Sequence, residues 1–155
     1  MDYATCLRHY KRPEIQKAIV ENARGREVAV KFADKGFGKR PEVLTYPAEV
    51  LDFAKKGVSS FHISEERWKD VSQLSTGLDK AAMTDLRSGW DLVIDIDSTD
   101  WNISRIATHL ISQTLQDFNI HRFDVKFSGN KGFHIGVPFE VFPAYFGNQP
   151  TRTLF

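Results

Sequence analysis

Between Trp90 and Pro138 the spacing of apolar residues changes three times, and the order of those changes restricts the architecture more than any other feature of the chain. WDLVIDID (90–97) is an almost continuous apolar run in which Leu92, Val93, Ile94 and Ile96 suit a strand covered on both faces. The next segment places Ile103, Ile106, Ala107, Leu110, Ile111, Leu115 and Phe118 on one helical stripe. RFDVKF (122–127) and GFHIGVP (132–138) then read as two short strands joined by SGNK. The order is β-α-β-β.

Such a unit is RRM-like or ferredoxin-like and incomplete, because a final helix and strand are missing from the pattern. Upstream, Pro13 opens a helix carrying Ile15, Ala18, Ile19 and Ala23, and Gly25 stops it. In REVAVKF, Val28, Val30 and Phe32 alternate with Glu27, Ala29 and Lys31, the period of a half-buried strand. A glycine-broken turn, DKGFGKRP, leads to EVLTY, a second candidate strand. Pro47 opens a helix over PAEVLDFAKK, Gly57 closes it, and VSSFHI follows as a strand. Residues 64–88 read as a connector, helical around SEERWKDV, and Arg87-Ser88-Gly89 marks a lobe boundary. The expected fold class is therefore α+β, with two lobes packed as one domain. Residues 1–88 form an N-terminal αβ lobe and connector, 89–142 the incomplete RRM-like lobe, and 143–155 a tail that reads first as a frayed terminus and whose Tyr145, Phe146, Leu154 and Phe155 also suit a sheet edge or a partner contact.

Charge excludes little, since 21 Lys+Arg stand against 20 Asp+Glu and any nucleic-acid contact has to come from local clustering. The single cysteine, Cys6, excludes an internal disulfide and a multi-cysteine structural zinc site, and suits a reducing compartment. The N-terminus has no apolar run of a signal peptide, and no stretch approaches the roughly 18 apolar residues of a membrane span. A cytoplasmic protein without a membrane partner is the expectation.

Two clusters carry the chemistry. Asp95 and Asp97 stand two apart at the end of the apolar run, so their carboxylates leave one face of a strand and can converge on divalent cations. Mg²⁺ or Mn²⁺ is the expected cofactor, because hard cations take carboxylate and phosphate oxygens. The plainer alternative is that these acids are solvated or cap the following helix. In the loop 128–134, Gly129 and Gly132 let backbone N–H groups approach an anion, while Ser128, Lys131 and His134 add side-chain donors. An ordinary hairpin with a satisfied histidine is the alternative there. Lys39 and Arg40 in GFGKRP, and Arg122 with Lys126 ahead of the loop, can contact template or primer phosphates, and can equally be solvated charge. Trp90, Trp101 and Phe133 can stack a base, although Phe133 reads as core. His62 and Asp124 read as a structural histidine and a solvent-facing strand residue.

D-x-D on an apolar strand, followed after one helix and one strand by S-G-x-K-G-F-H-I-x-V-P, resembles the archaeo-eukaryotic primase superfamily, above all the small catalytic subunit of archaeal DNA primase. REVAVKF, the aromatic-basic turn and SEERW are similar to that family's N-terminal lobe, so the likeness covers most of the chain. It implies a two-lobe primase-polymerase core and a template-directed nucleotidyltransferase that makes or extends short primers by two-metal phosphoryl transfer. Asp95 and Asp97 match its metal-binding catalytic aspartates. Ser128, Gly129, Lys131 and His134 match the motif that binds the incoming nucleotide, with lysine where arginine is common. DNA template and primer, NTP or dNTP, and a large primase subunit or a complementing polypeptide are the implied partners. The family's third metal carboxylate has no match, since Glu140 in VPFEVFP is the only acid after His134. A nucleotide- or nucleic-acid-binding module without catalysis, and an end-joining repair polymerase of the same superfamily, are the alternatives.

Overall fold

A computed structural model describes residues 2–154, which form a mixed α+β fold. The chain divides into two compact units between Ser88 and Gly89.

The first unit begins with helix α1 (Tyr3–Tyr10), an element the sequence reading did not place. Asp2 caps it by accepting the Thr5 N–H at 3.0 Å. Helix α2 (Pro13–Ala23) starts on its proline and gives way to Gly25, whose φ of +67° suits only glycine at low cost. Strands β1 (Val28–Phe32), β2 (Gly36–Phe37) and β3 (Val58–Ile63) make an antiparallel sheet in the order β2-β1-β3. Helix α3 (Pro47–Lys55) is capped by the Glu49 carboxylate, which accepts the Thr45 and Tyr46 amides at 2.7 Å. Val28, Val30 and Val58 pack with Val20, Ala23, Leu44 and Val50 into a core on the helix side of that sheet.

Two expectations fail here. EVLTY is not a strand: β2, which lies inside the expected turn, already pairs with one end of β1, so Glu42 keeps only a single bridge to Val28. SEERW is not helical either. Strand β4 (Glu66–Trp68) runs there instead, with the Trp68 N–H donating to the Gly25 carbonyl at 2.7 Å and the indole buried. Burying that large side chain outweighs the weak helical preference of the flanking polar residues. Among the described residues of this connector a short 3-10 turn (Val71–Gln73) is followed by one α-helix, α4 (Lys80–Leu86), N-capped by Asp79. Arg87 forms an ion pair with Glu66 and lies over the Trp68 ring. Strand β5 (Arg87–Trp90) then carries the chain across the division.

In the second unit, β6 (Leu92–Ile96), helix α5 (Trp101–Asp117), β7 (Asp124–Phe127) and β8 (Phe133–Val137) form the expected β-α-β-β unit. The sheet order is β6-β8-β7, antiparallel throughout. Only one face is covered. Ile96, Leu115, Ile135 and Val137 make the core with Ile94, Ala107 and Ile111, whereas Val93 points the other way and is 50% exposed. The expected doubly covered strand is thus corrected to a half-open one.

The helical stripe is corrected too. Ile103, Ile106, Leu110 and Phe118 are 55–75% exposed, and the buried side carries Ser104, Thr108 and Leu115. Ile106 and Leu115 lie about 180° apart around the helix, so three strands cannot cover both. The side with small hydroxyl residues allows close approach. Thr108 and Ser112 donate their hydroxyls to the carbonyls of Ser104 and Thr108, at 2.7 and 2.8 Å.

The tail folds on itself as β9 (Tyr145–Phe146) and β10 (Gln149–Pro150), a hairpin separate from the β6-β8-β7 sheet. Buried Thr151 anchors it through its N–H to Ala144 and its hydroxyl to Pro143, while Tyr145 and Phe146 stay exposed. Phe155 lies outside the described residues. Among the described residues no helix is long and apolar enough to cross a membrane.

Candidate functional site

Strand register brings the two chemistry-bearing clusters together within the second unit. Asp95 on β6 lies directly opposite His134 on β8, and His134 lies opposite Lys126 on β7. Residues opposed in this way project from the same side of a sheet. Asp95, His134 and Lys126 therefore form one row across the uncovered face. His134 Nε2 stands 3.5 Å from Asp95 Oδ1, and the Asp95 side chain is 68% exposed.

The loop between β7 and β8 is closed at its base. The Ser128 N–H donates to the Gly132 carbonyl at 2.9 Å, and the Gly132 N–H returns to Ser128 Oγ at 3.2 Å. Gly129 takes a φ of +97°, which turns the chain where a side chain would be strained. Gly132 is needed for a different reason. A Cβ on it would stand 2.4 Å from the Ile96 carbonyl oxygen and 3.3 Å from Asp97 Cα. The loop thus rests directly on the backbone that carries the acidic pair.

Lys131 reaches across the same end and donates from Nζ to the Thr99 carbonyl at 3.0 Å. Strand β6 ends at Ile96, so Asp97 is the first residue beyond it, and it is exposed. Asp100, which caps α5 by accepting the Asn102 N–H at 2.7 Å, takes the capping role that the plainer reading offered to this acidic stretch.

Asp95, His134 and Lys126 share one open face, and Asp97 and Lys131 lie in the segments that follow β6 and precede β8 at the end of that sheet. The site's cations suit phosphate oxygens and its acids suit a hard cation. Among the described residues no three His, Cys, Asp or Glu side chains converge as a ready cage for a metal. Two carboxylates are nevertheless the protein share of a donor set in which Mg²⁺ keeps water and takes its remaining ligands from substrate phosphates. Asp95 and Asp97 fit that kind of site.

Some residues of interest fall elsewhere. Arg122 precedes β7 and is exposed. Asp124 shares the uncovered face, on the neighbouring rung opposite Gly136. The signal for placing it and Lys126 together was available, because the two stand two positions apart on one strand. Lys39 and Arg40 belong to the first unit, where the Arg40 guanidinium holds Glu27 through two bonds of 2.7 and 2.8 Å. That pairing raises the Arg40 pKa further above its already high value. Trp90 is buried against Phe139 and Phe142. Trp101 and Phe133 pack with Phe127.

No family model matches the sequence, and no curated protein matches it.

Proposed function

We propose that the chain is a nucleotide-handling part of a template-directed nucleotidyltransferase of the archaeo-eukaryotic primase type, making or extending short primers. The observation that carries this reading is the contact of the Ser128–Gly132 loop with the Ile96–Asp97 backbone, combined with the Asp95–His134–Lys126 row on the same face. A triphosphate laid on this surface meets Lys131, His134 and the loop amides while its oxygens approach the acidic pair.

Asp95 and Asp97 would hold Mg²⁺ or Mn²⁺, which supplies charge neutralisation and activation of the attacking hydroxyl. The residues of the chain position the phosphates. Lys131 offsets their charge, His134 offers a ring nitrogen as a hydrogen-bond donor, and Gly129 and Gly132 let the backbone approach them closely. Lys126, Arg122, Lys39 and Arg40 are the candidates for contacts to template and primer phosphates. A cytoplasmic location and a large subunit or complementing polypeptide belong to the same reading.

A second reading, a binding module without catalysis, is favoured by the donor count at the site, since among the described residues no third His, Cys, Asp or Glu side chain joins the acidic pair. Incubation of a primed template with labelled nucleotide and Mg²⁺ or Mn²⁺ separates the two. Extension that vanishes in Asp95→Ala and Asp97→Ala supports the enzyme. Metal-dependent nucleotide binding without extension supports the module. Absence of nucleotide binding by the wild-type chain, with either metal, refutes both.

A further inference from the structure

The outer face of the β2-β1-β3 sheet, in the first unit, carries a cluster that the site above does not use. Register places Phe37 and Ser60 on either side of Lys31, on one rung of that sheet, and His62 on the next rung opposite Ala29. These residues face away from the core formed by Val28, Val30 and Phe61.

Phe37 is held in place by glycines on both sides. Gly36 has a φ of +76°, and Gly38 lies so close to β1 that a Cβ would meet Val30 Cγ2 at 2.9 Å. The Gly38 N–H donates to the Val30 carbonyl at 2.8 Å. The Phe37 ring meets His62 edge to face at 5.2 Å, Lys31 Nζ stands 5.8 Å from its centroid, and the ring is still 57% exposed. His62 is fixed in turn by Ser60 Oγ at 3.0 Å.

Charge on this hairpin is one-sided. KFADKGFGKR (31–40) contains Lys31, Lys35, Lys39 and Arg40 against Asp34 alone. Arg40 is matched by Glu27, which leaves three lysines, two of them placed two residues to either side of Phe37. An ordered, exposed aromatic pair with ammonium groups around it is a surface on which an unpaired base stacks while its phosphates are neutralised.

We propose that this face binds single-stranded nucleic acid, with a base on the Phe37–His62 pair and the backbone near Lys31 and Lys39. A duplex keeps its bases stacked inside and cannot offer them to the rings, so a single strand is preferred. Lys39 is also a template-contact candidate of the proposed function, so the proposal deepens that reading, while its surface belongs wholly to the first unit and is tested apart from nucleotide binding by the second.

The test is a fluorescence-anisotropy titration of a labelled oligothymidylate with the full chain, at several salt concentrations and against a duplex of the same length. Phe37→Ala is expected to weaken binding at least about fivefold, and Phe37→Trp to retain it. Lys31→Ala is expected to reduce the slope of log affinity against log salt by about 0.7. Should Phe37→Ala melt early, His62→Ala and Lys31→Ala carry the same test from the other two groups. The proposal is overturned by wild-type affinity in Phe37→Ala, by a duplex that binds as well as the single strand, or by no binding at all. Wild-type affinity in Phe37→Leu also overturns it, since that marks an apolar protein contact. Nucleotide binding by the same chain is measured separately, with labelled nucleotide and Mg²⁺. Strand binding without nucleotide binding therefore sinks the reading of the second unit alone, and the converse result sinks this one alone.

Discussion

Replacing Gly132 by alanine tests how tightly the loop is pressed on the acidic strand. The added Cβ would lie 2.4 Å from the Ile96 carbonyl oxygen, whereas ordinary contact begins at 3.4 Å, so about 1 Å of separation has to be created. Ile96 cannot supply it, because its pairing with Phe133 ties it to the residue that follows the glycine. The loop has to lift instead. Overpacking of this kind costs about 1–3 kcal/mol, which lowers a urea midpoint by about 1 M at ordinary m-values. Trp90 and Trp101 report the second unit and Trp68 the first, so tryptophan fluorescence follows both. Gly136→Ala is the control: it has an ordinary φ and nothing within 4 Å of the added methyl, and it is expected to be neutral or slightly stabilising. Gly132→Ala should also weaken metal-dependent nucleotide binding, because the lifted loop leaves the acidic pair. If Gly132→Ala and Gly136→Ala unfold together, the loop does not bear on β6 as described.

Ile135→Ala removes a fully buried side chain from the centre of β8 and is expected to cost about 2–5 kcal/mol, measured by the same denaturation. Tyr10 gives a pH test in the first unit. Burial, aided by the nearby Cys6, raises its phenol above the ordinary value, and its hydroxyl donates to the Ser59 carbonyl at 3.1 Å. A raised value means that folding favours the neutral form, whose contribution is complete below about pH 10 and is lost as pH rises through the folded-state value. Tyr10→Phe is expected to be about 0.5–1.5 kcal/mol less stable at neutral pH and to show a smaller decline above pH 10; an identical alkaline decline would refute this account.

Local patterns in the chain were enough to place most elements. Pro13, Pro47 and Gly57 bound their helices because proline and glycine act on the backbone of their own residue. The period-2 alternation of β1 and the β-α-β-β order followed from the chain alone for the same local reason. The helix at Tyr3–Tyr10 escaped notice although Asp2 was a legible cap. EVLTY and SEERW misled because strand or helix there depended on whether β1 had a free edge and whether Trp68 could be buried, and both are non-local.

The site divides along the same line. Which residues bear charge, where glycines permit a tight loop, and that Asp95 and Asp97 close an apolar run are all properties of short segments, and the amino-acid order specifies them without reference to anything distant. That His134 faces Asp95, that Lys126 joins their row, and that Gly132 lies against Ile96 depend on antiparallel register between strands far apart in the chain. A slip of one residue would turn each of those side chains to the other face. Packing of Ile135 and Val137 against α5 is what excludes the slip, and with it tertiary structure selects which part of a broad apolar arc on the helix is buried and which face of the sheet stays open.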